Sequence, residues 1–255
     1  MVKNLLFLLA FVFVLHSCKQ DVAVVQLDGK TLLNKAIEAH GGDLFKQSTV
    51  AFELNNYEFQ FTRDGYNYDY SMTRANDTLI ATMRAFNGGM EYTENGAVST
   101  QGARMDNIVR NRVNSVAYEF YIPYDFTTND VVQTYLGDEF MRGRKYHKVK
   151  ITFKTPEGGT PDLRAFVLWI DAETFEIDFV AKENDSASGR KQFSAAAYKR
   201  RVGGMLFSDF EIYQTPGRNR EVSIDSIGMA YGAGAMQRVT VTTYKNITVT
   251  PLAKD

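Results

Sequence analysis

Alternating apolar and polar residues run through most of the chain, and this period of two predicts β-strands. The alternation is clearest over 66–72, 149–153 and 175–181, where every second residue is apolar or aromatic. The stretch 163–170 is instead apolar at both parities, which is typical of a central strand covered on both faces. About eleven strands are predicted in all.

The apolar spacing becomes helical in two segments. One covers about 31–40, where Asp28 or Thr31 can cap the first turn and a glycine pair follows the last. The second covers about 105–120 and ends before Pro123, which cannot continue a helix. Two helices among many consecutive strands predict an α+β fold that is mostly antiparallel β, because a parallel sheet would need alternating strands and helices.

Local features of the strands predict how the sheet bends. Within 49–63 the apolar parity switches at Asn55-Asn56, which we interpret as a β-bulge that curves the sheet. The glycines of 228–234 match no phosphate-binding fingerprint and predict a flexible loop. Later strands are expected over 191–201, 204–214, 221–229 and 236–249.

The N-terminal residues have the pattern of an export signal. Lys3 precedes an unbroken apolar run over 5–15, which is shorter than the roughly 20 residues of a membrane-spanning helix. The run closes on the segment LHSC at 15–18, which resembles the lipobox of bacterial lipoproteins. The alternative interpretation is a plain signal peptide whose cysteine is incidental, and the segment is excluded from the folded domain in both cases.

The lipobox resemblance implies a division of the chain and an address. Residues 1–17 are then the signal peptide, Cys18 carries the lipid, 18–30 form a tether and 31–255 form one domain. Lys19 is not the aspartate that retains lipoproteins at the inner membrane, so sorting rules imply the outer membrane. We expect the protein to face the periplasm, with the cell surface as the alternative.

Composition narrows the classes of partner and site. The chain has a single cysteine, so it can form neither an intrachain disulfide nor a cysteine-based metal site. Its 29 Lys and Arg against 30 Asp and Glu lie without long runs, which does not favour nucleic-acid binding. Eighteen Phe and fourteen Tyr, mostly in the predicted strands, are the informative excess. We expect a monomer without a cofactor.

Candidate catalytic or metal-binding residues have structural explanations. His40 falls in the last turn of the first predicted helix, where it can bond the final carbonyls and interact with the helix dipole. His147 falls on an apolar strand face and is expected to be packed. The two histidines are far apart in sequence and have no motif around them, so a metal site is not predicted.

Carboxylates near one turn offer a hydrolytic alternative. Glu176 and Asp178 share a strand face, and Asp171 and Glu173 flank the turn before it. Two facing carboxylates can hydrolyse a glycoside when they lie about 5–10 Å apart. We expect instead an Asx-type turn cap followed by a solvated strand face. No Gly-x-Ser-x-Gly nucleophile motif occurs in the sequence.

Four segments together resemble a known family. They are AHGG at 39–42, FYIPY at 120–124, LWIDAETF at 168–175 and GGMLF at 203–207. With the order of strands and helices, they resemble the lipoprotein-sorting superfamily of Gram-negative bacteria, which contains the Lol carrier and receptor, and its outer-membrane-anchored lipoproteins. The resemblance implies a strongly curved antiparallel sheet, an unclosed barrel whose concave apolar side is covered by helices and receives acyl chains.

Aromatic residues are the candidate ligand-binding set under this resemblance. They are Tyr57, Phe59, Phe61, Tyr66, Tyr68, Tyr70, Phe166 and Trp169. The alternative is that they only form the core between sheet and helices, as such residues usually do. A hairpin tip between Phe86 and Met90 is the nearest candidate for a membrane-contact loop, because no protruding leucine loop can be aligned.

Three functional hypotheses follow. The first is a non-catalytic envelope lipoprotein that binds a lipid, a lipoprotein acyl chain or another hydrophobic ligand in the concave face. The second is an envelope protein with a filled core that presents its sheet to a partner. The third is a hydrolase that uses Asp171, Glu173 or Glu176. A large apolar cavity, a filled core and a polar cleft, respectively, would distinguish them.

Overall fold

The computed structural model describes residues 27–99, 103–154, 163–184, 191–215 and 222–253. The predicted signal peptide and Cys18 lie outside these residues. Within them the chain forms fourteen strands and three α-helices. The predicted class, α+β with mostly antiparallel strands, is confirmed, although the strands and helices are more numerous than expected.

The strands form two antiparallel sheets of seven. The first sheet contains β1 Gln47–Leu54, β2 Tyr57–Asp64, β3 Asn67–Ala75, β4 Ile80–Phe86, β5 Gly89–Glu94, β6 Ala97–Val98 and β14 Lys245–Pro251. The second contains β7 Val131–Met141, β8 Arg144–Phe153, β9 Leu163–Asp171, β10 Ile177–Asn184, β11 Lys191–Val202, β12 Met205–Gln214 and β13 Gln237–Thr242. The helices are α1 Gly29–His40, α2 Ala103–Phe120 and α3 Ile227–Gly232.

The two sheets together form an unclosed half-barrel. Their spatial orders are β14-β1-β2-β3-β4-β5-β6 and β13-β12-β11-β10-β9-β8-β7. The chain passes from the second sheet to the first between β13 and β14, and Asp209 fastens this junction. Its Oδ1 accepts from the backbone N–H of Tyr244 at 3.1 Å and from Arg200 Nη1 at 3.0 Å. Arg200 also donates to the carbonyl of Tyr244.

The predicted bulge at Asn55-Asn56 is wrong, because these residues form a two-residue hairpin turn. Leu54 pairs directly with Tyr57 across β1 and β2. Asn55 and Asn56 have φ values of 51° and 62°. Two consecutive residues in the left-handed region are what a tight hairpin requires, and asparagine tolerates that conformation. The parity switch therefore comes from a change of strand.

The C-terminal segment also departs from the prediction. The expected strand over 221–229 and loop over 228–234 are replaced by a 3-10 turn, Ile224–Ser226, and the helix α3. Ile227 and Tyr231 are buried one helical turn apart. The expected single strand over 236–249 is two strands, β13 and β14, which belong to different sheets.

Helix α1 begins two residues before its predicted start, within the predicted tether. Asp28 is the N-cap, and its Oδ1 accepts from the backbone N–H of Thr31 at 2.6 Å. Its buried face includes Leu32, Leu33, Ala36 and Ile37, as predicted. None of the helices in the described ranges is long and apolar enough to span a bilayer.

Two hydrophobic clusters hold the layers together. The inner cluster lies in the concavity of the half-barrel and joins both sheets to α1 and α2. The outer cluster lies on the other face of the second sheet, where Trp169 and Phe193 pack under Ile227 and Tyr231. Strand β9 contributes to both clusters, with Phe166 inside and Trp169 outside. This confirms the prediction that 163–170 is covered on both faces.

Candidate functional site

The aromatic strands β2 and β3 face the concavity, and α2 covers them. Phe61 is fully buried, with its ring centroid 5.4 Å from that of Phe120 and 6.1 Å from that of Tyr121. Four other predicted ligand-binding residues on these two strands lie in or against the same cluster: Tyr57, Phe59, Tyr68 and Tyr70. The structure thus brings the five predicted residues of β2 and β3 together, but the end of α2 packs directly against them.

The remaining three predicted residues lie in three different environments. Tyr66 is 99% exposed in the turn between β2 and β3. Trp169 is fully buried in the outer cluster, with its ring 5.3 Å from that of Phe193, so it does not face the concavity. Phe166 also belongs to the inner cluster, but it lies on the inner face of the second sheet and lines a cavity there.

The predicted membrane-contact residues lie at the β4–β5 hairpin tip, and both are half-buried. Asn87 ties this tip to the neighbouring one, since its Oδ1 accepts from the backbone N–H of Tyr68 at 2.6 Å and its Nδ2 donates to the carbonyl of Tyr66 at 3.1 Å. Met90 packs against the inner cluster. Contact of Phe86 and Met90 with a membrane stays a proposal.

A cavity of about 100 Å³ lies against the inner face of β10, β11 and β12. Helix α2 contacts β3, β4 and β5, whereas α1 contacts β7, β8 and β12, so this part of the inner face lies between the two helices. Apolar side chains supply most of the wall: Phe45, Phe120, Ile122, Phe166, Ile177, Val180, Met205, Leu206, Phe207, Phe210 and Ile212. The site is therefore an apolar slot bounded by the end of α2.

One end of the slot is polar. Lys182 pairs across the strands with Gln192, and Ser194 is the next inward residue of β11. Gln192 Nε2 donates to Ser194 Oγ at 3.3 Å. Lys182 forms an ion pair with Glu119, which lies in the last turn of α2. The Lys182 side chain is 19% exposed and that of Glu119 is 47% exposed, so this pair stands at the rim.

His40 lies at the other end of the slot. Its Nε2 accepts a hydrogen bond from the backbone N–H of Ile177 at 2.9 Å. Burial lowers the pKa of His40 to about 4, so the imidazole is neutral at pH 7. The predicted bond to the last carbonyls of α1 is wrong, because His40 links α1 to β10. The slot therefore runs from a charged rim to a neutral, hydrogen-bonded floor.

The volume limits what the slot can hold. An engineered apolar cavity of about 150 Å³ in another protein binds benzene. The volume of about 100 Å³ is therefore sufficient for a segment of one acyl chain in this conformation. A longer chain needs movement of the residues that bound the slot, of which the end of α2 is one.

Most of the predicted ligand-binding residues lie away from the slot. Of the eight predicted residues, only Phe166 lines the slot. One sequence signal was available: Lys182, Gln192 and Ser194 are polar residues at the inward parity of their strands, beside inward Val180. Polar side chains at core parity are informative, because a packed core normally excludes them.

The carboxylates near the β9–β10 turn form hydrogen bonds and ion pairs that stabilise the fold. Asp171 Oδ1 accepts from the backbone N–H groups of Glu173 and Thr174 at 3.0 and 2.9 Å, which confirms the predicted Asx turn. Burial alone raises the pKa of Asp171, but these hydrogen bonds and the positive charge of Arg144 lower it by more, so the net shift is downward. Both Glu176 and Asp178 pair with Lys199.

Asp178 and His147 are both buried in the structure. Asp178 is buried beside Tyr146. The prediction that its strand face is solvated is therefore wrong. His147 is packed as predicted: its ring stacks on Phe175 at 6.2 Å and its Nδ1 lies 2.6 Å from Asp138 Oδ1. Among the described residues, no group of three or more His, Cys, Asp or Glu is placed to hold a metal ion.

The half-barrel with its inner slot has the fold of the LolA superfamily. The crystal structure of the LolA superfamily protein NE2245 from Nitrosomonas europaea superposes with a TM-score of 0.52, at 13% identity, over 90% of this chain and 95% of that one. The putative outer membrane lipoprotein-sorting protein domain from Vibrio parahaemolyticus gives a TM-score of 0.43 at 12% identity, over 73% and 84% of the two chains.

Within that fold, the sequence itself assigns a narrower family. Residues 3–242 match the model of DUF6503, a family of unknown function, and the chain belongs to this family. No curated protein matches the chain significantly in sequence.

Proposed function

We propose that this protein is a non-catalytic lipoprotein of the cell envelope that binds a lipid, a lipoprotein acyl group or another hydrophobic ligand in the concavity of its half-barrel. The observation that carries the proposal is the slot of about 100 Å³ on the inner face of the second sheet. The LolA fold supports it, because the family resemblance of the sequence implies acyl-chain binding at this face.

Apolar burial is the main source of affinity that the slot offers. Side chains such as Val180, Phe210 and Ile212 line it, and the polar groups stand mainly at the Lys182 end. Each buried CH₂ group contributes about 0.8 kcal/mol before the cost of association. The affinity of such a site therefore changes only gradually with the length of the bound chain.

The anchoring and address belong to the same proposal. Residues 1–17 act as the signal peptide, and Cys18 is diacylated and becomes the first residue of the mature chain. The residues from there to Asp28, which caps α1, connect the lipid to the half-barrel. We place the protein at the outer membrane, facing the periplasm, as a monomer. Labelling with radioactive palmitate tests this step, and the label is expected to disappear in Cys18→Ala.

One observation favours a second function. The slot is small, and α2 already fills the concavity above β2 and β3. A protein with a filled core would present its outer surface to a partner in the envelope and bind no small ligand. The two functions differ in whether a hydrophobic molecule is retained by the purified protein.

Native mass spectrometry of a chain that begins at residue 19 tests the proposal, since this chain keeps every described helix and strand. Ligand-bound species are expected after gentle purification. Ser194→Phe, which adds bulk inside the slot, is expected to abolish them. The matched control is Ser71→Phe, on the outer face of the first sheet, where Ser71 Oγ lies 3.5 Å from the carbonyl of Gln60.

The result that contradicts ligand binding is a clean apo mass together with no uptake of a fluorescent fatty acid. That result would leave the partner-binding surface as the function. Equal loss of ligand in Ser194→Phe and Ser71→Phe would show that binding does not occur in the slot.

A further inference from the structure

We infer that the ligand of the slot is a single-chain amphiphile with a carboxylate head, a fatty acid, whose carboxylate binds Lys182 in place of Glu119. This inference rests on the proposed function and names the class of ligand. It is carried by the charge at the rim, by the position of Glu119 on α2 and by the width of the slot.

The rim supplies a cation at the end of an apolar wall. Lys182 projects from β10 on the same face as Val180, and its cross-strand neighbours on this face are Phe166 and Gln192. An ammonium group at that position costs desolvation free energy unless an anion accompanies it. Within the described ranges, the carboxylate of Glu119 is the anion that pairs with Lys182.

The carboxylate of Glu119, which pairs with Lys182, can be displaced from it. Glu119 is 47% exposed, so water can solvate its carboxylate when the ion pair opens. A fatty-acid carboxylate entering at Lys182 replaces one negative charge by another, and Lys182 stays neutralised. The site therefore already accommodates the geometry of a carboxylate, which favours this head group over a neutral one.

The shape of the slot fits one chain. Its wall follows β10 from Ile177 to Lys182, a distance of about 17 Å at 3.3 Å per residue. A volume of about 100 Å³ spread along that wall is narrow. The alkyl chain lies along Val180 and Ile212 toward the floor at His40, while Gln192 and Ser194 can hydrogen-bond the head.

Entry of the ligand is coupled to α2. Glu119 lies in the last turn of α2, and Phe120 and Ile122, which follow it, line the slot. Displacing Glu119 from Lys182 releases a contact that holds this end of the helix against the second sheet. The same exchange that admits the head group therefore frees the residues that limit the volume for the chain.

The test compares dodecanoate with dodecanol, which have the same chain and different heads, by titration calorimetry on the chain from residue 19. Dodecanoate is expected to bind about tenfold more tightly, as a hydrogen-bonded charge pair at a partly exposed site provides. Lys182→Gln is expected to remove that tenfold difference between the two ligands. Lys182→Arg keeps the cation and is expected to retain the preference.

Glu119→Gln is expected to raise the affinity for dodecanoate several-fold, because the competing carboxylate is gone. Lys46→Gln is the matched control, because Lys46 pairs with Asp43 at an exposed site, 51% and 80% exposed, and does not line the slot. It is expected to change neither ligand's affinity. Circular dichroism of each variant confirms that the fold is kept.

The outcomes separate this inference from the proposed function. If both ligands bind with equal affinity, or if Lys182→Gln leaves the preference intact, the slot binds chains but the carboxylate inference is overturned. Stronger binding of a lysophospholipid than of dodecanoate would also overturn it. If neither ligand binds the chain from residue 19 without substitutions, the proposed function fails as well.

Discussion

Arg63 and Asp125 lie 62 residues apart in the chain and form a two-point ion pair, with Nη1 to Oδ1 at 2.6 Å and Nη2 to Oδ2 at 3.1 Å. The guanidinium lies 3.9 Å from the ring centroid of Tyr121, and its Nε donates to the hydroxyl of Tyr70. The contact holds the segment that follows α2 against the C-terminal end of β2. It fixes where α2 ends, and so where the slot begins.

Removal of the Arg63 guanidinium is expected to destabilise the fold. Both side chains are largely buried, at 15% and 17% exposure. Burial raises the pKa of Asp125, and Arg63 opposes that rise. Arg63→Met leaves a buried carboxylate without its partner, so the free energy of unfolding is expected to fall by about 3 kcal/mol. Urea denaturation at pH 7 measures this change.

The matched control is another bidentate ion pair that is more exposed to solvent. Arg84 and Asp69 lie on the outer face of the first sheet, with side chains 41% and 42% exposed. Arg84→Met is expected to cost about 1 kcal/mol or less, as exposed pairs do. Equal losses for the two variants would contradict a special role for the buried pair.

His40 is expected to make stability depend on pH between about 4 and 6.5. Its pKa falls from 6.5 to about 4 on folding, because burial disfavours the imidazolium. The unfolded chain therefore binds more protons in this window, and stability decreases as the pH falls. Between pH 7 and pH 5 the free energy of unfolding is expected to drop by about 2 kcal/mol from this group.

His40→Gln tests that assignment by urea denaturation at the two pH values. Glutamine can still accept from the backbone N–H of Ile177 but does not titrate. The pH-dependent drop is expected to shrink in the variant. Asp138, whose pKa is lowered to about 2 although burial alone would raise it, contributes mainly below pH 4 and outside the comparison. An unchanged drop would assign the effect to other groups.

The elements that sequence periodicity predicts well are those decided by local pattern. Strand β9 was predicted because residues 163–170 are apolar at both parities, and it is buried on both faces. The apolar pattern predicts a bulge where Asn55-Asn56 forms a turn, because a bulge and a two-residue turn both switch the parity of a pattern. What separates them is backbone conformation, which apolar spacing does not report.

The slot could not be located from the sequence for a different physical reason. A cavity on an inner face lies where helices leave the sheet uncovered, and that depends on tertiary contacts. Arg63 and Asp125 position the end of α2, yet neither residue belongs to an apolar pattern. The aromatic residues of β2 and β3 are the candidates that the sequence predicts, and in the structure the end of α2 packs on them.

The Asx turn between β9 and β10 is expected to depend on one oxygen. Asp171 is almost fully buried, and its Oδ1 accepts from Glu173 N, Thr174 N and Thr174 Oγ1. Asp171→Ala removes the acceptor of these three part-buried hydrogen bonds and is expected to cost about 2 kcal/mol. Asp171→Asn keeps the accepting oxygen and is expected to cost less.

Glu173→Ala is the control for the turn, since the exposed Glu173 contributes its backbone there. Its change in unfolding free energy, measured by urea denaturation, is expected to stay within about 0.5 kcal/mol. A loss as large as that of Asp171→Ala would show that the Glu173 side chain contributes to the turn directly.

Two glycines with nearly the same backbone conformation separate strain from crowding. Gly65 has φ +61° and a Cβ there meets nothing within 4 Å, whereas Gly203 has φ +55° and a Cβ there would lie 2.7 Å from Val249 Cβ. Gly65→Ala is expected to cost about 1 kcal/mol for the left-handed conformation alone. Gly203→Ala carries the same strain and also pushes β14 away from the β11–β12 hairpin, so its loss is expected to be larger by about 2 kcal/mol. Urea denaturation of both variants measures the difference, and equal losses would mean that β14 can shift at this junction at little cost.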